Sequence, residues 1–303
     1  MPYREAHMRA EREMSSEQVV IDLCSMLAAE AGAGAGIDVT LNAPLADLGL
    51  DSLAFAELAL ALEERFAVRL GDGDVEGIRT VGEVVRALET PPAPLPAIPP
   101  GIGGAQGVVR AISGWAFRWQ TRMRVEGQAN VPPEGPVIMA ANHRSMMDVP
   151  VLTLASPRPV VFMAKVELFR SALGARFFHE LGGFPVRRDI ADLRAIDIGL
   201  AVLRNEQVLA IYPEGKRNYE ECLLDFLGGA AWMALRTGAP IVPCGLVGTA
   251  KPMAGARPGL RRHVRVAFGT PIPVTREEDR AARLRKTRGI TAQLREAVGD
   301  LVR

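Results

Sequence analysis

The sequence predicts an α/β domain built on a mostly parallel mixed sheet flanked by helices, preceded by a small all-α bundle. Three observations carry that prediction. After about residue 108, short apolar runs alternate with helical patterns, as a parallel-sheet domain requires. Before residue 90 the apolar spacing is helical throughout. Between the two lies PPAPLPAIPPGIGGAQG at 91–107. Proline fixes φ and has no N–H, so this stretch suits neither a helix nor a central strand. The expected organisation is a helical bundle over 15–90, a Pro/Gly-rich linker over 91–107 and the α/β domain over 108–303. Fully extended, such a linker would reach on the order of 50 Å.

In the bundle, Ser15 with Gln18 reads as a capping box, and Val19, Val20, Leu23, Met26 and Leu27 follow at helical spacing. Gly32, Gly34 and Gly36 end that helix. A second helix is expected to start near Ser52, with a broad apolar face from Leu53 to Phe66. Thr80 and Glu83 form another capping box ahead of Val84, Val85 and Leu88. In the larger domain, 136–141, 159–164, 208–212, 240–248 and 263–269 read as strands. The stretches 147–155, 189–204, 228–237 and 277–302 read as helices. Residues 108–124 combine Trp115, Phe117 and Trp119 with Arg110, Arg118, Arg122 and Arg124. They read as an amphipathic helix suited to a membrane interface or to packing on the domain.

Composition narrows the function. Residues 1–90 hold 7 Lys+Arg and 17 Asp+Glu, and the remainder 29 and 18, so balances of −10 and +11 hide behind a net charge of +1. Bodies of opposite sign attract. Cys24, Cys222 and Cys244 show no CxxC spacing, which argues against a disulfide framework and a zinc site and fits a reducing cytosol. No metal is expected. The mixed-charge N-terminus does not read as a signal peptide, and no apolar run reaches the roughly 18 residues of a spanning helix. Any membrane contact is expected to be peripheral.

Two motifs carry chemistry. The first is Leu48-Gly49-Leu50-Asp51-Ser52-Leu53. A serine in a first helical turn is by itself an N-cap. Set in an acidic bundle, the segment resembles the attachment motif of acyl carrier proteins, over about residues 15–90. The resemblance implies a 4'-phosphopantetheine arm on Ser52, with acidic Glu57, Glu63 and Glu64 behind it. It also implies two partners, a phosphopantetheinyl transferase and an acyl-loading enzyme. A phosphodiester there would meet the positive end of the helix dipole.

The second motif is Asn142-His143-Arg144-Ser145-Met146-Met147-Asp148. It follows a strand, where α/β sheets build their sites. Asp148 is near enough in sequence to turn back on one imidazole nitrogen, leaving the other to take a proton from an attacking hydroxyl. His-x4-Asp alone is a common pattern. Three later segments add to it: LGGFPVRR at 181–188, YPEGKR at 212–217 and GAPIVP at 238–243, with AKVEL at 164–168. In this order they resemble the four signature blocks of the glycerolipid acyltransferase family, over about residues 108–300.

That resemblance implies an O-acyltransferase with His143 as general base and Asp148 as its orienting partner. Lys165 and Arg188 would hold an acceptor phosphate, with Arg187 as the alternative ligand. Glu214 and Gly215 would help place the acceptor hydroxyl, and Arg217 would add positive charge. Pro243 would be a rigid strand exit. Lys216, Asn218 and Arg187 depart from the family pattern and are expected to alter the acceptor pocket rather than the His–Asp chemistry. The donor would be an acyl thioester, on the chain's own carrier or on coenzyme A or a separate carrier protein. The acceptor would be a lysophospholipid such as 1-acylglycerol-3-phosphate, or a non-phosphorylated lipid or specialised metabolite. A non-catalytic, membrane-docked acyl carrier is the remaining alternative. The expected location is cytoplasmic, at the inner membrane face, with no nucleic-acid partner.

Overall fold

A computed structural model describes residues 15–31, 39–49, 52–66, 78–88, 121–186, 193–220, 222–250 and 262–303. The linker 91–107, most of 108–124, and Asp51, Arg187 and Arg188 lie outside the described residues. The chain divides into two compact units, one centred on three N-terminal helices and one on a seven-stranded sheet.

The helices of the first unit are α1 (Ser16–Ala31), α2 (Ser52–Phe66) and α3 (Val81–Ala87). Val20, Cys24, Leu27, Leu48, Leu58, Leu62 and Val84 form its buried interior. Burial pushes the Cys24 thiol up to about 12, so it stays protonated and inert. The capping box expected at Thr80 is complete: Thr80 Oγ1 accepts the N–H of Glu83, and Glu83 Oε2 accepts the N–H of Thr80. The one expected at Ser15 is only half formed. Ser15 Oγ accepts the Gln18 N–H at 3.3 Å, but the Gln18 amide turns forward to Asp22. An acceptor one turn along the helix outcompetes a backbone N–H that water can serve.

The second unit runs β1 (Thr121–Glu126), β2 (Val137–Ala141), α4 (Asp148–Ala155), β3 (Val160–Lys165), α5 (Ala172–Glu180), β4 (Gly183–Val186), α6 (Leu193–Arg204), β5 (Val208–Ile211), α7 (Gly229–Thr237), β6 (Ile241–Val247), β7 (Arg262–Phe268) and α8 (Arg280–Val302). The spatial order is β1-β7-β6-β2-β5-β3-β4, parallel throughout except for the antiparallel β6–β7 pair. Every residue of β2 is buried, as expected of a strand covered on both faces. Val137, Met139 and Ala141 join Val151, Leu152 and Ala155 of α4 in one apolar cluster.

The chain leaves β2 for β3 on one side and leaves β5 for β6 on the other, while β2 and β5 are neighbours. Such reversal opens a crevice at the carboxyl ends of the two strands, where α/β sheets take their ligands. The fold therefore points to the loops after β2 and β5.

Two expectations need correction. Residues 121–124 are not helical but open strand β1. In TRMRVE, Met123 and Val125 alternate with Arg122, Arg124 and Glu126, which is the period of a strand edge rather than of a helix. Pro243 is the third residue of β6, not its exit. Its carbonyl accepts the Gly269 N–H at 2.8 Å, so the strand keeps a bond where proline supplies no donor. Strand β4, GFPV, carries no alternation; it pairs only with β3, an edge position where proline is tolerated.

One glycine fixes the approach of β1 to β7. Gly127 has φ +69°, and a Cβ there would lie 2.1 Å from the Phe268 carbonyl oxygen. That same oxygen accepts the Asn130 amide at 2.8 Å. Gly127→Ala is expected to cost about 2–3 kcal/mol, lowering Tm by roughly 5–10 °C in a thermal melt.

Candidate active site

Two residues beyond β2, His143 is held from several directions. The preceding Asn142 is fully buried and pairs its side chain with Leu246 of β6: its Oδ1 accepts the Leu246 N–H at 2.7 Å, and its Nδ2 donates to the Leu246 carbonyl at 2.9 Å. The side chain thus imitates one more rung of the sheet and fixes the point from which the loop departs.

Asp148 opens α4 and turns back. Its Oδ2 lies 2.8 Å from His143 Nδ1 and accepts the backbone N–H groups of Arg144 at 2.6 Å and Ser145 at 2.7 Å. Asp148 is fully buried and His143 is 5% exposed. A carboxylate can only accept, so Nδ1 carries the hydrogen and Nε2 of the neutral ring keeps its lone pair.

The loop after β5 supplies the rest. Glu214 Oε1 accepts the His143 backbone N–H at 2.8 Å. Its Oε2 accepts the Asn218 amide at 2.8 Å and the Leu224 N–H at 3.1 Å. The Asn218 N–H donates to the His143 carbonyl at 2.7 Å. Both backbone polar groups of His143 are therefore fixed by residues 214–218. Gly215 allows the turn with φ +69°; a Cβ there would meet Leu227 at 2.7 Å. The Tyr212 ring stacks on the imidazole, with centroids 4.4 Å apart and planes at 28°.

A buried base with a free Nε2, oriented by a buried carboxylate at a sheet's carboxyl edge, suits proton abstraction from a hydroxyl. Residues 122–247 match the acyltransferase family, and residues 22–88 match the phosphopantetheine attachment site family. A 1-acyl-sn-glycerol-3-phosphate acyltransferase of Bacillus subtilis is 26% identical over 151 residues, covering 50% of this chain and 73% of that protein. The human beta isoform of that enzyme is 32% identical over 143 residues, covering 44% and 51%. Residues 122–247 thus form an acyltransferase-family domain, and residues 22–88 a phosphopantetheine-carrier domain.

A lyso-ornithine lipid O-acyltransferase of Pseudomonas aeruginosa is 33% identical over 122 residues, covering 40% of this chain and 45% of that protein. The chain spans about half the length of most of these relatives. The crystal structure of the 1-acyl-sn-glycerophosphate acyltransferase from Thermotoga maritima shares the fold, with TM-score 0.50, 23% identity, and 63% of this chain and 78% of that one covered.

Within the acyltransferase domain, the other expected residues divide. Lys165 ends β3, next to β5, and its half-exposed ammonium pairs with Glu167 at 3.0 Å. Arg217 is exposed, 6.0 Å above the Tyr219 ring. Arg188 lies outside the described residues. Asn218 requires a correction. Expected in the acceptor pocket, it is 3% exposed, bonds Glu214, and also donates to the Cys222 carbonyl at 2.6 Å. It belongs to the support of His143, where its amide has the reach to join two segments.

Asn142 and Tyr212 stood within the sequence motifs but had no role there. Their partners lie on other strands, and no spacing along the chain reveals them. Among the described residues, no cluster of three or more His, Cys, Asp or Glu has the arrangement of a metal site.

In the carrier domain, Ser52 opens the 15-residue helix α2. Gly49, with φ +67°, lies three residues before it, and fully buried Leu48 pins the approach. A phosphate joined at this position would sit at the positive end of the helix dipole, so the residues present fit a phosphopantetheine group.

Proposed function

We propose that the acyltransferase domain transfers a fatty acyl group from a phosphopantetheine thioester to a hydroxyl of a lysophospholipid-like acceptor such as 1-acylglycerol-3-phosphate. The 2.8 Å contact between buried Asp148 and His143 Nδ1 carries this reading. Phosphopantetheine, when attached at Ser52, supplies the thiol that holds the acyl chain as an activated ester. His143 Nε2 takes the proton of the acceptor hydroxyl as its oxygen bonds to the acyl carbon. Asp148 stabilises the imidazolium. The carbon–sulfur bond then breaks, and the proton passes from Nε2 to the departing sulfur. The products are an ester and a free thiol. Lys165, Arg188 and Arg217 would hold the acceptor phosphate, since charge-assisted bonds suit it.

We further propose that the chain works as a carrier over 15–90, a linker over 91–107 and a transferase over 108–303. The linker would raise the local donor concentration to the millimolar range. A cytoplasmic location at the inner membrane face fits an apolar rim. Among the described residues, the exposed large hydrophobic side chains are Met146, Val166, Tyr219 and Leu227. Met146, Tyr219 and Leu227 lie on loops that leave the carboxyl ends of β2 and β5, and Val166 opens a short 3-10 helix after β3, beside exposed Lys165, Lys216 and Arg217. Among the described residues, no helix is long and apolar enough to cross a membrane. The Pseudomonas relative, named for a lyso-ornithine lipid, favours a second reading with a non-phosphorylated acceptor.

Intact-mass spectrometry after co-expression with a phosphopantetheinyl transferase tests the donor side. A mass gain is expected on the Ser52 peptide and not in Ser52→Ala; a gain elsewhere refutes the attachment site. Assays of the loaded protein with lysophosphatidic acid and with uncharged lysolipids test the acceptor side. With the phosphorylated acceptor, Lys165→Ala and Arg188→Ala are each expected to raise KM roughly tenfold, the order of one charge-assisted hydrogen bond. Equal use of both acceptors, with both variants unimpaired, establishes the second reading.

A further inference from the structure

We infer that Tyr212 is a positioning residue that stabilises the protonated form of His143 through the face of its ring. This rests on the reading of His143 as the general base. Tyr212 directly follows β5, whose last residue, Ile211, pairs with Ala140 of β2. The two strand ends therefore deliver the two rings side by side, 4.4 Å apart and within 28° of parallel. An aromatic face carries partial negative charge, so it attracts an imidazolium more than a neutral imidazole. The attraction is strongest where water is excluded, and His143 is 5% exposed.

Other features agree. The Tyr212 hydroxyl is buried and makes no hydrogen bond among the described residues. Packing, rather than a polar contact, therefore sets the ring's place. Burial and the nearby Asp148 charge push the phenol well above its ordinary range, so the ring stays neutral wherever the imidazole titrates. The remaining titratable groups facing His143 are Asp148 from α4 and Glu214 from the loop after β5. On β6, beside Ala141, sits the Cys244 thiol, which burial keeps protonated, and Arg144 adjoins along the chain. Asp148 orients the ring and offsets its charge at the edge, while Tyr212 offsets it over the face.

The test follows the four histidines by NMR titration, with His143→Gln identifying the signal of residue 143. In Tyr212→Leu, the His143 pKa is expected to fall by roughly 0.5–1.5, the size of a desolvated cation–π contact. Tyr212→Phe keeps the wild-type value. Mere opening of the site to water acts in the opposite direction, because hydration favours the charged ring. The acid limb of kcat/KM should move down with the pKa, and kcat should fall roughly 3- to 30-fold with KM little changed.

Should Tyr212→Leu fail to fold, phenylalanines of increasing fluorination at position 212 keep the shape while draining the ring's negative face. They should lower the pKa stepwise. An unchanged or raised His143 pKa in either series overturns the inference. The titration needs no turnover, so its outcome is separate from that of the acyl-transfer assay.

Discussion

His143→Ala is expected to lower acyl transfer by at least roughly 10³-fold, because the proposed general base would contribute about 10²–10⁴ and its ring would also carry the imidazolium charge. The protein should remain folded. Its loop is held at the backbone, where Glu214 and Asn218 engage the N–H and carbonyl of residue 143 whatever its side chain. Oδ2 of Asp148 keeps two of its three donors, the N–H groups of Arg144 and Ser145. The check is kcat in a loaded-carrier assay beside a thermal melt. Substantial transfer by a folded His143→Ala protein removes His143 from the chemistry. Asp148→Asn should behave differently. It discharges the carboxylate at the first turn of α4, weakens the three bonds that converge on Oδ2, and puts an amide nitrogen where Oδ1 is buried without a hydrogen-bond partner among the described residues. Both activity and stability should fall, the latter by about 1–3 kcal/mol.

The contrast shows what the sequence could reveal. The pairing of His143 with Asp148 was legible because five residues span one turn, and a preceding apolar run places that turn at a strand end. Ser52 was legible as the start of a helix for a similar reason. The structure that holds His143 was not. Asn142 reaches Leu246, 104 positions away, and Glu214 reaches back 71. Asn142 was read only as a member of a motif, and Glu214 as a group that places the acceptor hydroxyl. Strand order also cannot be read from local pattern, although it is the adjacency of β2 and β5 that brings Tyr212 and Glu214 to His143. The misreadings have one root. In 108–124, aromatic and basic residues outweighed the short alternation that makes β1. At Pro243, proline was read as the exit of the 240–248 strand, although sheet pairing accommodates it near the strand's start.

Glu214 gives the second large effect, and its form distinguishes two roles. The family resemblance would have it place the acceptor hydroxyl. In the structure, both of its oxygens serve the protein, one for His143 and the other for Asn218 and Leu224. Removing the carboxylate in Glu214→Ala leaves three donors unpaired at a residue that is 5% exposed. At roughly 1–3 kcal/mol for each unmade buried bond, with partial relaxation, the expected loss is about 3–5 kcal/mol of stability. Glutamine is no remedy, because N–H donors face both oxygens and its amide nitrogen must confront one of them. A scaffold residue of this kind lowers kcat and Tm together and leaves KM nearly unchanged, since the base is displaced while the acceptor's own contacts survive. A residue that grips the acceptor instead raises KM in Glu214→Gln at an unaltered Tm. Measuring kcat, KM and Tm on both variants separates the roles; the hydrogen bonds to His143, Asn218 and Leu224 predict the first pattern.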